Sequence, residues 1–64
     1  MVSELDSYRA ANLLIHQHGP AAELEATLLA VMMHARGDHE GVLAWLRIGR
    51  AITALQAAPA GGPH

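Results

Sequence analysis

Hydrophobic side chains recur every three or four residues along most of the chain, which is the spacing of amphipathic α-helices. Glycine and proline interrupt the pattern at two places. In His18-Gly19-Pro20, a glycine suited to end one helix precedes a proline suited to the first turn of the next. Gly37-Asp38 repeats this logic, because the aspartate can cap a following helix. The predicted helices lie near residues 4–18, 21–36 and 39–56.

The turns between these helices are short, so we expect consecutive helices to pack nearly antiparallel. The predicted fold is all-α, a three-helix bundle formed by residues 1–56 as one domain. Ser3 is placed to cap the first helix. The remaining residues, 57–64, are rich in proline and glycine and are expected to form a flexible tail.

The first and third helices are predicted to be amphipathic. At 100° per residue, each places its larger apolar residues on one side. On the first helix the expected buried residues are Tyr8, Ala11, Leu14, Ile15 and His18. On the third helix they are Gly41, Trp45, Ile48, Ile52 and Leu55.

The middle helix is apolar on two sides, which is typical of a helix packed on two sides. One arc holds Leu24, Leu28, Val31, Met32 and Ala35. The second arc holds Ala22, Ala26, Leu29 and Met33. The first and third helices could cover both arcs, or a second protomer could cover one of them. Three further leucines point away from the predicted core and favour the second interpretation: Leu13, Leu43 and Leu46.

Composition sharpens the case for an additional stabilising contact. Of the 64 residues 52% are hydrophobic, but 13 are alanine and none is phenylalanine, so the core must be small. Small domains of this kind often depend on disulfides, metals or oligomerisation. Cysteine is absent, which excludes disulfides and thiolate chemistry. Self-association or a histidine-based metal site therefore remains.

Charge excludes further classes of partner. The formal net charge is −2 and the isoelectric point is near 6.1, whereas nucleic-acid-binding domains are usually strongly basic. We therefore expect no binding to nucleic acid or to an anionic membrane surface. No apolar run is long enough to span a membrane, and the acidic amino terminus is unlike a signal peptide. The expected location is the cytoplasm.

Candidate chemistry is sparse. No hydroxyl residue stands beside a histidine in a recognisable nucleophile motif, and no glycine-rich loop precedes a helix. We predict neither enzymatic activity nor a cofactor. A weak metal-site candidate is His34, Asp38 and His39 around the second turn. The competing interpretation is that Asp38 caps the third helix and that His34 lies near helix carbonyls.

The resulting hypothesis is a non-enzymatic protein interaction or self-association module, with a homodimer as the expected assembly. Gly41 and Gly49 flank Trp45 by four residues each, and they would let a neighbouring helix approach closely. The alternative function is a small metal- or ligand-binding regulatory protein that uses the His34/Asp38/His39 turn. The candidate interaction residues are Leu13, Leu43, Trp45, Leu46, Arg47 and Arg50.

A longer pattern spans nearly the whole chain before the tail. It runs Ala11, Leu14-Ile15, Gln17-His18-Gly19, Ala22, Gly37-Asp38, Gly41, Trp45, Arg47-Ile48, Ala51-Ile52 and Leu55-Gln56. In these residues the chain resembles a family of short, uncharacterised helical proteins of alphaproteobacteria, classed as a domain of unknown function. Gly49 departs from that pattern. The resemblance implies a single helical domain and transfers no activity.

Overall fold

A computed structural model describes residues 3–57, which are helical except at the cap and one turn and contain no strand. The helices are α1 (Glu4–His18), α2 (Ala22–Ala35) and α3 (His39–Ala57), with a 3-10 turn at Gly19–Ala21. The predicted bounds of α1 are confirmed, those of α2 differ by one residue at each end, and those of α3 differ by one residue at the carboxyl end. Ala57, which was predicted to begin the tail, is the last residue of α3. The rest of the predicted tail lies outside the described residues.

The start of α1 follows from its capping residue. The Ser3 hydroxyl accepts a hydrogen bond from the backbone N–H of Asp6 at 3.1 Å. The hydroxyl of the buried Ser7 donates to the Ser3 carbonyl at 3.2 Å. Ser3 thus satisfies groups that the first turn of a helix otherwise leaves unpaired.

A bend at the 3-10 turn joins α1 directly to α2. Gly19 has φ 55° and donates its N–H to the Ile15 carbonyl, and Pro20 occupies the first turn that follows. Helical structure continues without a gap from residue 4 to residue 35, so residues 3–57 contain two continuous helical segments, 4–35 and 39–57. The three-helix bundle is therefore confirmed only at the level of an all-α fold.

In the turn between α2 and α3, Gly37 adopts the helix-ending conformation that the sequence predicts. Gly37 has φ 75°, a conformation that favours glycine. The Asp38 N–H donates to the Met33 carbonyl at 2.9 Å, which ends α2 in a Schellman-type turn. The Asp38 carboxylate then accepts the Gly41 N–H at 2.9 Å and caps α3. One residue therefore ends one helix and begins the next.

The core is built mainly from small side chains on three helices. Its buried members are Ala11, Leu14, Ala22, Ala26, Ile48, Ala51 and Ile52. Tyr8, Ile15 and Trp45 pack against it and are partly buried. A Cβ built on Gly49 would lie 3.8 Å from the Cβ of Ala26, so α2 and α3 approach closely there. Close packing of alanine and glycine fixes the distance between these helices.

Contacts along α3 show how the other helices run. The Ala26 and Met33 side chains lie near Gly49 and Gly41 respectively, so α2 runs antiparallel to α3. The first turns of α1 lie beside residues 47–51, and the bend lies beside Gln56. α1 therefore runs in the same general direction as α3 and in the opposite direction to α2.

Two predicted core positions are wrong. His18 and Leu55 are exposed, although both fall on the predicted buried stripes. Each lies in the last turn of its helix, where neighbouring side chains no longer cover that face. Ser7, which the pattern assigns to no buried stripe, is 3% exposed. Its burial costs little because its hydroxyl bonds to the backbone one turn earlier.

Candidate interaction surface

The two apolar arcs of α2 differ in burial. In the second arc Ala22 and Ala26 are buried, while Leu29 and Met33 are partly buried. The neighbouring Ala30 is buried as well. On the other side, four large side chains are exposed: Leu24 at 61%, Leu28 at 47%, Val31 at 58% and Met32 at 53%. Together with Ala35, we call these four residues the α2 outer face. α2 thus turns three alanines inward and leaves four larger aliphatic residues in contact with solvent.

Packing distance explains why the alanine side faces inward. Ala26 meets Gly49 of α3, a position without a side chain, and the two helices are close enough for their small residues to touch. A leucine or methionine at Ala26 would need space that this contact does not leave. α2 therefore turns its small residues toward α3, and its outer face remains exposed to solvent.

Charged residues border the α2 outer face in an ordered way. Glu23 and Glu25 lie in the first turn of α2, and His34 lies in its last turn. Arg36 follows at the C-cap and is exposed. This distribution complements the helix dipole, which favours acidic groups at the amino end and basic groups at the carboxyl end. The surface therefore has an acidic end and a basic end.

The predicted interaction residues do not form one patch. Leu13 of α1 is 57% exposed, and Leu43 and Leu46 of α3 are exposed on the side opposite Ile48 and Ile52. These leucines remain candidates for contact, but they lie on two different helices. Trp45 is partly buried and packs against the core, so its indole fills space inside the domain.

Arg47 and Arg50 lie in a groove between α3 and the start of α1. The groove has a volume of about 350 Å³, and its other lining residues are Glu4, Ser7, Tyr8 and Ala51. Both arginines are exposed. The pattern does not reveal that they face α1, because that proximity depends on how α1 lies across α3.

The second turn does not assemble the predicted metal ligands. His34, Asp38 and His39 are all exposed, and the Asp38 carboxylate is engaged in capping α3. Within residues 3–57, no three histidine, aspartate or glutamate side chains are placed to hold a metal ion. The capping interpretation of Asp38 is confirmed. Within the same range, no helix is both long and apolar enough to cross a membrane.

The residues of the α2 outer face were not among the predicted site residues. Leu24, Leu28, Val31 and Met32 stand at positions i, i+4, i+7 and i+8, which is the spacing of one helix face. That signal was visible in the sequence as one of two apolar arcs on the middle helix. Periodicity alone could not tell which arc the core would use.

Comparison with known proteins adds no relative to this description. No protein-family model, curated protein or solved structure matches the chain. The resemblance to the alphaproteobacterial family stays a prediction.

Proposed function

We propose that this protein is a non-enzymatic self-association module and that the α2 outer face is its contact surface. The observation that carries the proposal is the inverted burial of α2, with alanines inside and four larger aliphatic side chains at least 47% exposed. An ordinary monomer exposes single apolar residues, whereas a continuous helical stripe of this kind is typical of an interface.

Energetics support the same conclusion. Ile52 is the largest side chain that is fully buried, so the domain core gains little from large residues. Full burial of one leucine, valine or methionine is worth about 1.5–3 kcal/mol. Covering the α2 outer face would therefore add stabilisation that is large beside the few kcal/mol expected for so small a domain.

The proposed partner is a second copy of the chain. In this arrangement α1, α2 and α3 form a three-helix bundle in each copy, and α2 lies between its own core and the partner. Such a contact satisfies both apolar sides of the helix. No catalytic role is assigned to any residue.

Sedimentation equilibrium over a wide concentration range tests the proposal. We expect the wild-type chain to form a dimer, and we expect Leu28→Gln/Val31→Gln to be monomeric with unchanged helix content by circular dichroism. Leu5→Gln is the matched control, since Leu5 is 61% exposed but lies on α1. It should dimerise as the wild type does.

A second pair of substitutions tests the contribution of α3. Leu43→Gln/Leu46→Gln removes the two exposed leucines of that helix. Weakened dimerisation would place α3 in the contact surface as well, while an unchanged dimer would confine the surface to α2. A wild-type chain that stays monomeric at high micromolar concentration overturns the proposal, including the case in which the face binds a different protein.

A further inference from the structure

Pairs of residues eleven apart give the α2 outer face an internal symmetry. Eleven residues make about three helical turns, so two residues with this separation lie on the same side of a helix. Leu24 and Ala35 are such a pair, at the two ends of the apolar stripe. Glu25 and Arg36 form a second pair along one edge of the stripe, and their charges are opposite.

A third pair lies on the other edge. Glu23 and His34 are also eleven residues apart, and they border the stripe on the side away from Glu25 and Arg36. Both edges therefore carry an acidic residue near the start of α2 and a basic or titratable residue near its end. The midpoint of the Leu24 and Ala35 pair falls between Leu28 and Val31.

A twofold axis would bring specific residues of two copies of α2 into contact. In a dimer with a twofold axis perpendicular to α2, each residue meets the one on the same edge and at the same distance beyond the midpoint. Leu24 then meets Ala35 of the other copy. Glu25 and Arg36 lie on the same edge with an offset of two residues, about 3 Å along the helix, which their long side chains can span. A parallel arrangement would instead bring the acidic first turns of both copies together, which like-charge repulsion disfavours.

We infer that two copies associate through antiparallel α2 helices, with the twofold axis between Leu28 and Val31 and with Glu25 of each copy near Arg36 of the other. This inference rests on the proposed self-association and specifies its geometry. The apolar stripe supplies the contact area, while the charges at its edges set the direction and register.

Disulfide formation tests the direction of the helices, because the chain contains no cysteine that could interfere. In the antiparallel dimer two copies of residue 24 are about 16 Å apart along the helix at 1.5 Å per residue, beyond the reach of a disulfide. We therefore expect no disulfide from Leu24→Cys alone under mild oxidation. A mixture of Leu24→Cys and Ala35→Cys should give a mixed disulfide.

The control for random collision is a mixture of Ala35→Cys and Thr53→Cys. Thr53 is exposed on α3, and its hydroxyl bonds only within its own helix. It should not form a disulfide with position 35. A disulfide formed by Leu24→Cys with itself, or the absence of the mixed disulfide in a dimeric sample, overturns the antiparallel arrangement.

A charge exchange tests the register independently. Glu25→Arg alone places two like-charged pairs in the dimer, and so does Arg36→Glu alone. We expect the dissociation constant of each to rise about tenfold. In an equal mixture the two variants pair with each other, since the mixed dimer restores two opposite-charge contacts, and its affinity should return to that of the wild type.

Glu40→Arg provides the matched control for this exchange. Glu40 is exposed in the first turn of α3, so its replacement changes the net charge equally but leaves α2 intact. Its dissociation constant should stay within twofold of the wild type. If Glu25→Arg behaves in the same way as Glu40→Arg, or if mixing restores nothing, the register is wrong.

These experiments separate the two levels of the proposal. A wild-type chain that is monomeric throughout overturns both the self-association and its geometry. A dimer that loses affinity with Leu28→Gln/Val31→Gln but fails the disulfide and charge tests keeps the contact surface and overturns only the antiparallel arrangement.

Discussion

The side-chain amide of Gln56 donates a hydrogen bond to the carbonyl oxygen of Gly19 at 2.9 Å, across 37 residues of sequence. The contact ties the last turns of α3 to the bend between α1 and α2. Gly19 ends α1 with a positive φ, and its carbonyl belongs to the 3-10 turn that leads into α2. The bend and the end of α3 are therefore held together by a direct polar contact.

Replacement of Gln56 tests that contact. We expect Gln56→Ala to lower the free energy of unfolding by about 0.5 kcal/mol, the low end for one hydrogen bond, because the residue is exposed. Gln56→Glu should cost more, since a carboxylate would face the carbonyl oxygen. Urea denaturation at a fixed protein concentration measures both. Thr53→Ala, which removes only a bond within α3, should leave stability nearly unchanged.

The cap at Asp38 should make a measurable contribution to stability. Its carboxylate accepts the Gly41 N–H at 2.9 Å. We predict that Asp38→Ala destabilises the chain by about 1 kcal/mol, while Asp38→Asn retains most of the stability because asparagine is an equally good cap. Thermal and urea unfolding provide the measurement. Equal losses in both variants would show that charge, and not capping geometry, is what matters there.

The two glycines inside α3 should respond differently to alanine. A Cβ at Gly49 meets only Ala26 at 3.8 Å, so Gly49→Ala should gain about 1 kcal/mol from helix propensity. A Cβ at Gly41 would lie 2.6 Å from the Asp38 carboxylate and 2.8 Å from the Met33 sulfur. Gly41→Ala should therefore lower stability by displacing the cap. Opposite shifts in the urea midpoint are the expected result.

Ile52 should be the most sensitive core position. It is fully buried and is the largest such side chain, so Ile52→Ala should cost about 2–5 kcal/mol. In a domain with so small a core, that loss is expected to unfold much of the population at 25 °C. Far-ultraviolet circular dichroism during urea titration measures it. Leu5→Ala, at a 61% exposed position, should change stability by less than about 0.5 kcal/mol.

The sequence predicted the helices well because local chemistry sets their ends. Ser3 caps α1, Gly37 takes a positive φ, and Asp38 caps α3, and each effect involves residues within a few positions of one another. At the first turn the prediction of two separate helices holds only in part. Gly19 and Pro20 do end α1 and begin a new turn, but the helix resumes at once through a 3-10 turn.

The candidate site was less predictable, because it depends on contacts between residues far apart in the sequence. The exposure of Leu13, Leu43 and Leu46 agrees with their predicted positions away from the core. The groove beside Arg47 and Arg50 was missed, because it depends on where α1 lies relative to α3. No local rule fixes that position.

The amino-acid sequence by itself determined an all-α chain, the ends of its helices and the two apolar sides of α2, since these follow from periodicity, capping and glycine conformation. Only the tertiary structure decided which side of α2 enters the core. Both sides satisfy the helical period, but only the alanine side fits the close approach of Ala26 to Gly49. The larger residues on the opposite side, from Leu24 to Met32, are consequently left at the surface.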